Sequence, residues 1–160
     1  MQFKWVDYCE EYEAETETWK GDEDTVKFAI DNSIKEEHKY YLSPNDDDFK
    51  YKPGEEYFCK VVLDGDIIAA VLFILRGEGY PVAINPIIVN PKHRNKGYCT
   101  KIICELINNI REITGFDSDI FDAGIDLDNK ASIRAFEKNG FVLHETHPDG
   151  DFATWQYEKK

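Results

Sequence analysis

The sequence predicts an α/β fold: one domain, residues 1–160, on a mixed sheet whose first half is antiparallel. Three observations carry this. Two apolar, β-branched runs, Tyr57 to Leu63 and Asp66 to Leu75, flank Asp64-Gly65, a favoured tight-hairpin dipeptide. An apolar run from Val82 to Val89 feeds a basic, glycine-containing loop and then a helix-period segment, Thr100 to Ile113. After it, strand-like and helix-like segments alternate. A length of 160 residues suits one domain with a proper core and is too short for two ordinary ones.

The elements follow in order. Phe3 to Tyr8 alternates enough for a short strand, and Glu10 to Asp24 is acidic, broken at Trp19-Lys20-Gly21. From Asp22 to Leu42, Val26, Ala29, Ile30, Ile34 and Tyr41 recur near helical spacing, which predicts an amphipathic helix capped by Asp22 or Asp24. Ser43 to Asp48 is a turn-rich acidic loop, and Arg76 to Pro81 a second turn after the hairpin. Pro86 lies inside the strand Val82 to Val89; it removes a ladder donor and predicts a bulge or an interrupted edge. Ile102, Ile103, Leu106, Ile107 and Ile110 share one face of the next helix, which ends near Thr114-Gly115. A strand, Asp119 to Ile125, precedes a helix from Lys130 to Lys138, capped by Asp128-Asn129 and stopped by Asn139-Gly140. Phe141 to Glu145 and Phe152 to Glu158 are the last strands, joined by His147-Pro148-Asp149-Gly150.

Charge sharpens the functional reading. The net charge is −13, which argues against nucleic acid and anionic membrane as partners, since both need a basic footprint. No apolar run approaches membrane-spanning length, and Met1 to Glu13 does not resemble a signal peptide. Cys9, Cys59, Cys99 and Cys104 form no CxxC pair and no zinc spacing; they read as reduced thiols of a cytoplasmic protein, and no metal is expected. Against that acidic background, Lys92 to Thr100 is locally basic at a helix start. Free backbone N–H groups and a positive dipole end face such a loop, and Arg94 and Lys96 add full charges, so the segment reads as a phosphate-binding device. It lacks the GxxxxGK[ST] of nucleoside triphosphatases.

Two motifs in this order resemble the GNAT superfamily of acyl-CoA-dependent N-acetyltransferases. Val89-x-Pro91-x-x-Arg94-x-x-Gly97-x-Cys99 is similar to the superfamily's pyrophosphate motif, R/Q-x-x-G-x-G/A, with Cys99 in place of the last small residue. Asn129-x-x-Ser132-x-x-x-Phe136-Glu137-Lys138-x-Gly140-Phe141 is similar to its downstream helix signature. The resemblance covers nearly the whole chain. It implies a mostly antiparallel sheet flanked by helices, with the fourth and fifth strands splayed, and acetyl-CoA as cosubstrate. It further implies that Arg94, Asn95, Lys96, Gly97, Tyr98, Cys99 and Thr100 take the pyrophosphate. Ile87, Ile88 and Val89 would offer backbone to the pantetheine arm, with Asn129, Ser132 and Phe136 beside it.

The implied reaction is attack of an amine on the acetyl thioester. It needs a base, donors for the developing oxyanion (Ile88 or Val89 N–H by resemblance) and a proton for the leaving thiolate. Many relatives carry a tyrosine acid where this chain has Phe136, and some a glutamate base in the fourth strand, where it reads Val82-Ala83-Ile84-Asn85. Asn85, as an orienting group, and Asp122 are the catalytic candidates, followed by Glu78 and Tyr80. Cys99 as a nucleophile is set against the direct transfer that the resemblance implies. Trp5, Tyr8, Tyr12, Trp19, Tyr40, Tyr41, Phe49, Tyr51 and Tyr57, with the acidic residues among them, sit where relatives build the acceptor pocket. They suggest a small cationic molecule or a protein amine as acceptor. Acidic runs are more often a solvated face than a pocket wall, and a homodimer is left open. The alternative function is a catalytically weak acyl-CoA-binding protein with a sensing or interaction role.

Overall fold

The computed structural model describes residues 1–24, 33–41, 55–148 and 150–160. The strands are β1 (Lys4–Asp7), β2 (Glu56–Leu63), β3 (Ile67–Leu75), β4 (Val82–Val89), β5 (Ile120–Asp126), β6 (Val142–Thr146) and β7 (Phe152–Glu158). They form one seven-stranded sheet in the order β1-β2-β3-β4-β5-β7-β6. Every neighbouring pair is antiparallel except β4 with β5. The helices are α1 (Glu13–Glu17), α2 (Ile34–Tyr41), α3 (Tyr98–Asn108), α4 (Ile110–Thr114) and α5 (Lys130–Lys138).

β3 is apolar at every position because both of its faces are buried, as the central strand of a helix-covered sheet requires. Its residues alternate between two cores. Ala69, Val71 and Phe73 join Ile102, Leu106, Phe121, Phe136 and Phe141 under α3 and α5. Ala70 and Leu72 join Tyr8, Trp19, Ile34, Val61 and Ile88 on the other face. Glu105 of α3 fastens β1 to the first of these layers. It accepts from the Gln2 N–H at 2.7 Å, the Phe3 N–H at 3.1 Å and Trp5 Nε1 at 3.0 Å.

Three departures from the sequence reading have local causes. The acidic segment before Trp19 carries a 3-10 turn, Glu10–Tyr12, and the short α1, where no helix was expected. The helix expected over Thr100 to Ile113 starts earlier, at Tyr98, and breaks at Asn109, whose φ of −129° and ψ of 28° leave the helical region. Asn108 and Asn109 there bond back to the Cys104 and Glu105 carbonyls at 2.9 and 3.0 Å, the side-chain competition that makes asparagine a poor interior helix residue. Of the helix expected over Asp22 to Leu42, Glu23 and Asp24 are helical and α2 covers Ile34–Tyr41, with non-helical Ser33 before it accepting at Oγ from the Glu36 N–H at 3.2 Å; residues 25–32 and 42 lie outside the described residues. The acidic loop Ser43 to Asp48, with Phe49 and Tyr51, also lies outside them.

Pro86 acts as its missing donor predicts. β3 and β4 pair Phe73 with Ile84 and Val71 with Ile87, so Leu72 faces two residues of β4. At the same level the β4–β5 ladder ends: Ile84 with Ala123 is its last pair. Beyond it the two strands no longer pair, and among the described residues no strand pairs with Ile87 to Val89 on the β5 side.

Candidate active site

The gap between β4 and β5 opens into a cleft of about 480 Å³. Its walls are Ile87, Ile88 and Val89 of β4, residues 93–95 and 97–100 of the following loop and helix start, and residues 128–132 with Ala135 around α5. Most of the residues expected to hold the cosubstrate therefore share one cavity: Ile87, Ile88, Val89, Arg94, Asn95, Gly97, Tyr98, Cys99, Thr100, Asn129 and Ser132. Lys96 is exposed on the outside of the loop, and Phe136 is 3% exposed, packed edge-on against Phe141 rather than on the cleft wall.

The β4 backbone has a definite phase. The Asn90 N–H donates to the Ile68 carbonyl of β3 at 2.8 Å. In an antiparallel pair the polar groups of alternate residues point to alternate sides. Ile88, opposite Ala70, spends its N–H and C=O on β3, whereas those of Ile87 and Val89 turn toward the cleft. The Val89 N–H is thus the donor nearest the loop that an extended amide or a developing oxyanion can reach.

The loop is built to present N–H groups. Asn95 (φ 61°) and Gly97 (φ 77°) both adopt the left-handed conformation, and Gly97 is the N-cap residue of α3. After the extended Arg94 (φ −70°, ψ 160°), these two left-handed residues reorient the N–H groups of the turn at the positive end of the helix, where an anion is favoured. Asparagine tolerates this backbone and glycine adopts it freely. A Cβ placed on Gly97 would meet nothing within 4 Å, so the space over the loop is open.

Cys99 lines the cleft, and burial pushes its thiol up to about 12. Desolvation outweighs the helix N-terminus, which acts in the opposite direction. A thiol shifted in that direction stays protonated at neutral pH, which argues against Cys99 as a nucleophile. Asn129 caps α5, its Oδ1 accepting from the Ser132 N–H at 3.2 Å, while both residues face the cleft.

On the sheet between β4, β5, β6 and β7 lies a second cavity, about 540 Å³, lined by Arg76, Ala83, Asp122, Gly124, His144, Glu145, Thr154 and Gln156 among others. Asp122 pairs with Ala83 one residue before the ladder ends. Its carboxyl is half-buried and has no hydrogen-bond partner among the described residues; burial raises its pKa, opposed by the charges of Arg76 and His144. A carboxyl that is desolvated, unpaired and set in a cleft is a general-base candidate. Glu78 and Tyr80 line a different cavity at the far end of β4 from the loop. The side chain of Asn85 lies outside the described residues.

Sequence reasoning missed three supporting groups. Asn90 is fully buried; its Nδ2 donates to the Ile67 carbonyl at 2.8 Å and to Glu15 Oε1 at 3.1 Å, and its Oδ1 accepts from the Lys92 N–H at 3.1 Å. These bonds fix where the loop leaves β4. An asparagine directly before proline at a strand end was the available signal. Asn139 Nδ2 bonds the Thr100 carbonyl at 3.0 Å and the Ala135 carbonyl at 2.9 Å, tying α5 to the first turn of α3. Third, acidic residues of the N-terminal segment are turned onto the loop: Glu15 to Lys92 at 3.3 Å and Asp22 to Arg94 Nη1 at 2.6 Å. Of the aromatics expected at an acceptor pocket, Tyr8 and Trp19 are buried in the second core and Trp5 packs on the first.

The sequence profile of the Acetyltransferase (GNAT) family matches residues 7–141, most of the chain, from the end of β1 to the residue before β6. The chain belongs to the acetyltransferase (GNAT) family. Members of that family are acetyl-CoA-dependent N-acetyltransferases, with acetyl-CoA as cosubstrate. The uncharacterized N-acetyltransferase YfmK of Bacillus subtilis is 33% identical over 93 residues, covering 55% of this chain and 56% of that protein. The chain thus spans little more than half the length of this curated relative. Among solved structures, spermidine N-acetyltransferase from Vibrio cholerae superposes with a TM-score of 0.69 at 14% identity over 99% of this chain and 96% of that one. The aminoglycoside acetyltransferase AAC(6')-Ib gives 0.71 at 18% identity over 98% and 94%. At those identities the likeness concerns the GNAT fold. Among the described residues, no helix of this GNAT protein is long and apolar enough to cross a membrane.

Proposed function

We propose that this chain transfers the acetyl group of acetyl-CoA to a primary amine carried by a small cationic molecule or a protein. The observation that carries the reading is the coincidence of two features at one point of the sheet. The β4–β5 ladder ends at Ile84 and Ala123, and the loop with left-handed Asn95 and Gly97 lies at the other end of the gap so opened. The loop N–H groups and Arg94 hold the pyrophosphate. The outward polar groups of Ile87 and Val89 take the amides of the pantetheine arm. Tyr98, Cys99, Thr100, Asn129 and Ser132 line its path, and Phe136 supports them from the core.

Asp122 receives the proton that the amine must lose before attack, directly or through one water. Its raised pKa makes it a stronger base than an ordinary aspartate. The Val89 N–H stabilises the oxyanion. Phe136 has no proton to give, so the leaving thiolate is protonated by solvent. A cationic acceptor suits Asp122 and Glu145, which share the cavity beside the gap. Two GNAT structures of similar fold are described as complexes with spermine and with kanamycin, both polyamino compounds.

The test is thiol release from acetyl-CoA across polyamines, aminoglycosides, amino acids and peptide N-termini, with CoA binding measured separately. Turnover of at least one amine, reduced on the order of 10²-fold or more in Asp122→Asn with CoA affinity kept, is expected. Tight CoA binding with no turnover of any amine would favour the alternative, a catalytically weak acyl-CoA-binding protein.

A further inference from the structure

Apart from the exposed Lys96, the basic side chains of the cosubstrate loop lie against carboxylates. Lys92 Nζ sits 3.3 Å from Glu15, and His93 Nε2 lies 2.7 Å from Asp66. Arg94 Nη1 lies 2.6 Å from Asp22 Oδ2 and 3.5 Å from Asp24 Oδ2. The Arg94 and Asp22 side chains are only 26% and 25% exposed, so this contact is partly shielded from water, while Asp24 is a wall of the cleft itself. An arginine–carboxylate ion pair at 2.6 Å, with both side chains about a quarter exposed, is screened less by solvent than a fully exposed pair. Resting on the assignment of the pyrophosphate to this loop, the consequence is direct. A doubly charged anion arriving at Arg94 meets two carboxylates on the same guanidinium nitrogen, and it cannot settle there without displacing or repelling them.

We propose that Asp22 and Asp24 form an acidic strap that competes with the pyrophosphate of acetyl-CoA for Arg94. In the free protein the strap holds the guanidinium over the cleft. When the cosubstrate binds, the phosphate oxygens replace the carboxylates at Nη1, and residues 22–24 move off the loop. Affinity for the cosubstrate is therefore the difference between two ion-pair arrangements. Cosubstrate binding is also coupled to the position of the N-terminal segment, which carries Glu15 and α1 on the same loop.

The test compares wild type with Asp24→Asn, Asp22→Asn and the double variant, by calorimetric titration with CoA and with acetyl-pantetheine, which lacks the phosphates. Asp24 is 66% exposed, so Asp24→Asn keeps the fold even if Asp22→Asn does not. The double variant is expected to bind CoA roughly 5- to 20-fold tighter, with Asp24→Asn moving part of the way, and acetyl-pantetheine affinity unchanged within twofold. In an Arg94→Ala background the gain should vanish. An unchanged or weaker CoA affinity in folded variants overturns the strap. So does an equal gain for acetyl-pantetheine, or a gain that survives in Arg94→Ala, since either marks a general effect of removing negative charge. Failure of every form, wild type included, to bind CoA overturns the loop assignment and the strap with it.

Discussion

Replacing Gly97 separates backbone strain from crowding of the ligand, because the two act on different measurements. Gly97 holds φ 77° and ψ 12°. An L-residue in that conformation costs about 1–2 kcal/mol. Alanine recovers about 0.4–1 kcal/mol by restricting the unfolded chain. Its methyl meets nothing within 4 Å, so no clash is added in the free protein. The net loss for Gly97→Ala is about 1 kcal/mol, which for a domain of this size lowers Tm by about 2–4 °C. Gly97→Asn should lose less, since asparagine tolerates the left-handed region, as Asn95 does two residues earlier at φ 61°. For CoA the order reverses. The asparagine side chain enters the open space over the loop and should weaken binding by about 1–3 kcal/mol, roughly 5- to 150-fold, with alanine intermediate. Differential scanning calorimetry and calorimetric titration on the three proteins check both orders. A folded Gly97→Asn protein that binds CoA within twofold of wild type would refute the placement of phosphate on this loop.

Asp122→Asn should raise Tm at neutral pH while turnover falls. The folded-state pKa of Asp122 is raised by burial, so its contribution to stability is fully present below the unfolded carboxylate range. That contribution is lost as pH rises through the folded value. The melting difference from wild type should therefore shrink toward acid, and a variant less stable at neutral pH would contradict the desolvated carboxylate. Alkylation at neutral pH should modify exposed Cys9 and Cys104 while sparing Cys59 and Cys99, both of whose thiols burial pushes to about 12; early mapping of label to Cys99 would be inconsistent with this. Asn90→Ala removes a fully buried side chain together with the partners of the part-buried Ile67 carbonyl and Lys92 N–H, and should cost about 1–3 kcal/mol by denaturant titration. A loss under about 1 kcal/mol would show that the loop exit does not depend on Asn90. Phe136→Leu should retain much of any turnover at a stability cost of about 1–2 kcal/mol, since the ring is a core group against Phe141. Loss of turnover by orders of magnitude, with folding and CoA binding normal, would give the ring a direct role.

Sheet and loop were legible because their signals are local. Asp64-Gly65 between apolar runs, Pro86 inside a strand, Asn139-Gly140 after a helix and the basic loop at a helix start each constrain a few neighbouring residues, and each element formed. The ranges shifted where asparagines compete with the helix, at Asn108 and Asn109, and where caps rather than hydrophobic period decide the start, at Tyr98. What the sequence hid is long-range. Asn90 reaches Ile67 and Glu15, Asn139 reaches Thr100, and Asp22 reaches Arg94; no spacing rule links residues that far apart. The acidic N-terminal run was readable as a solvated face or as an acceptor lure. Part of it instead neutralises the loop, because a basic turn beside an acidic segment draws it in.

The most direct measurement is a crystal structure of the protein soaked with CoA. The account places the pyrophosphate oxygens within hydrogen-bond distance of the backbone N–H groups of residues 95–100, with Arg94 released from Asp22 and Asp24 onto a phosphate. It also places a pantetheine amide on the outward polar groups of Val89. CoA bound elsewhere, or bound in the cleft with its pyrophosphate away from this loop, would contradict it.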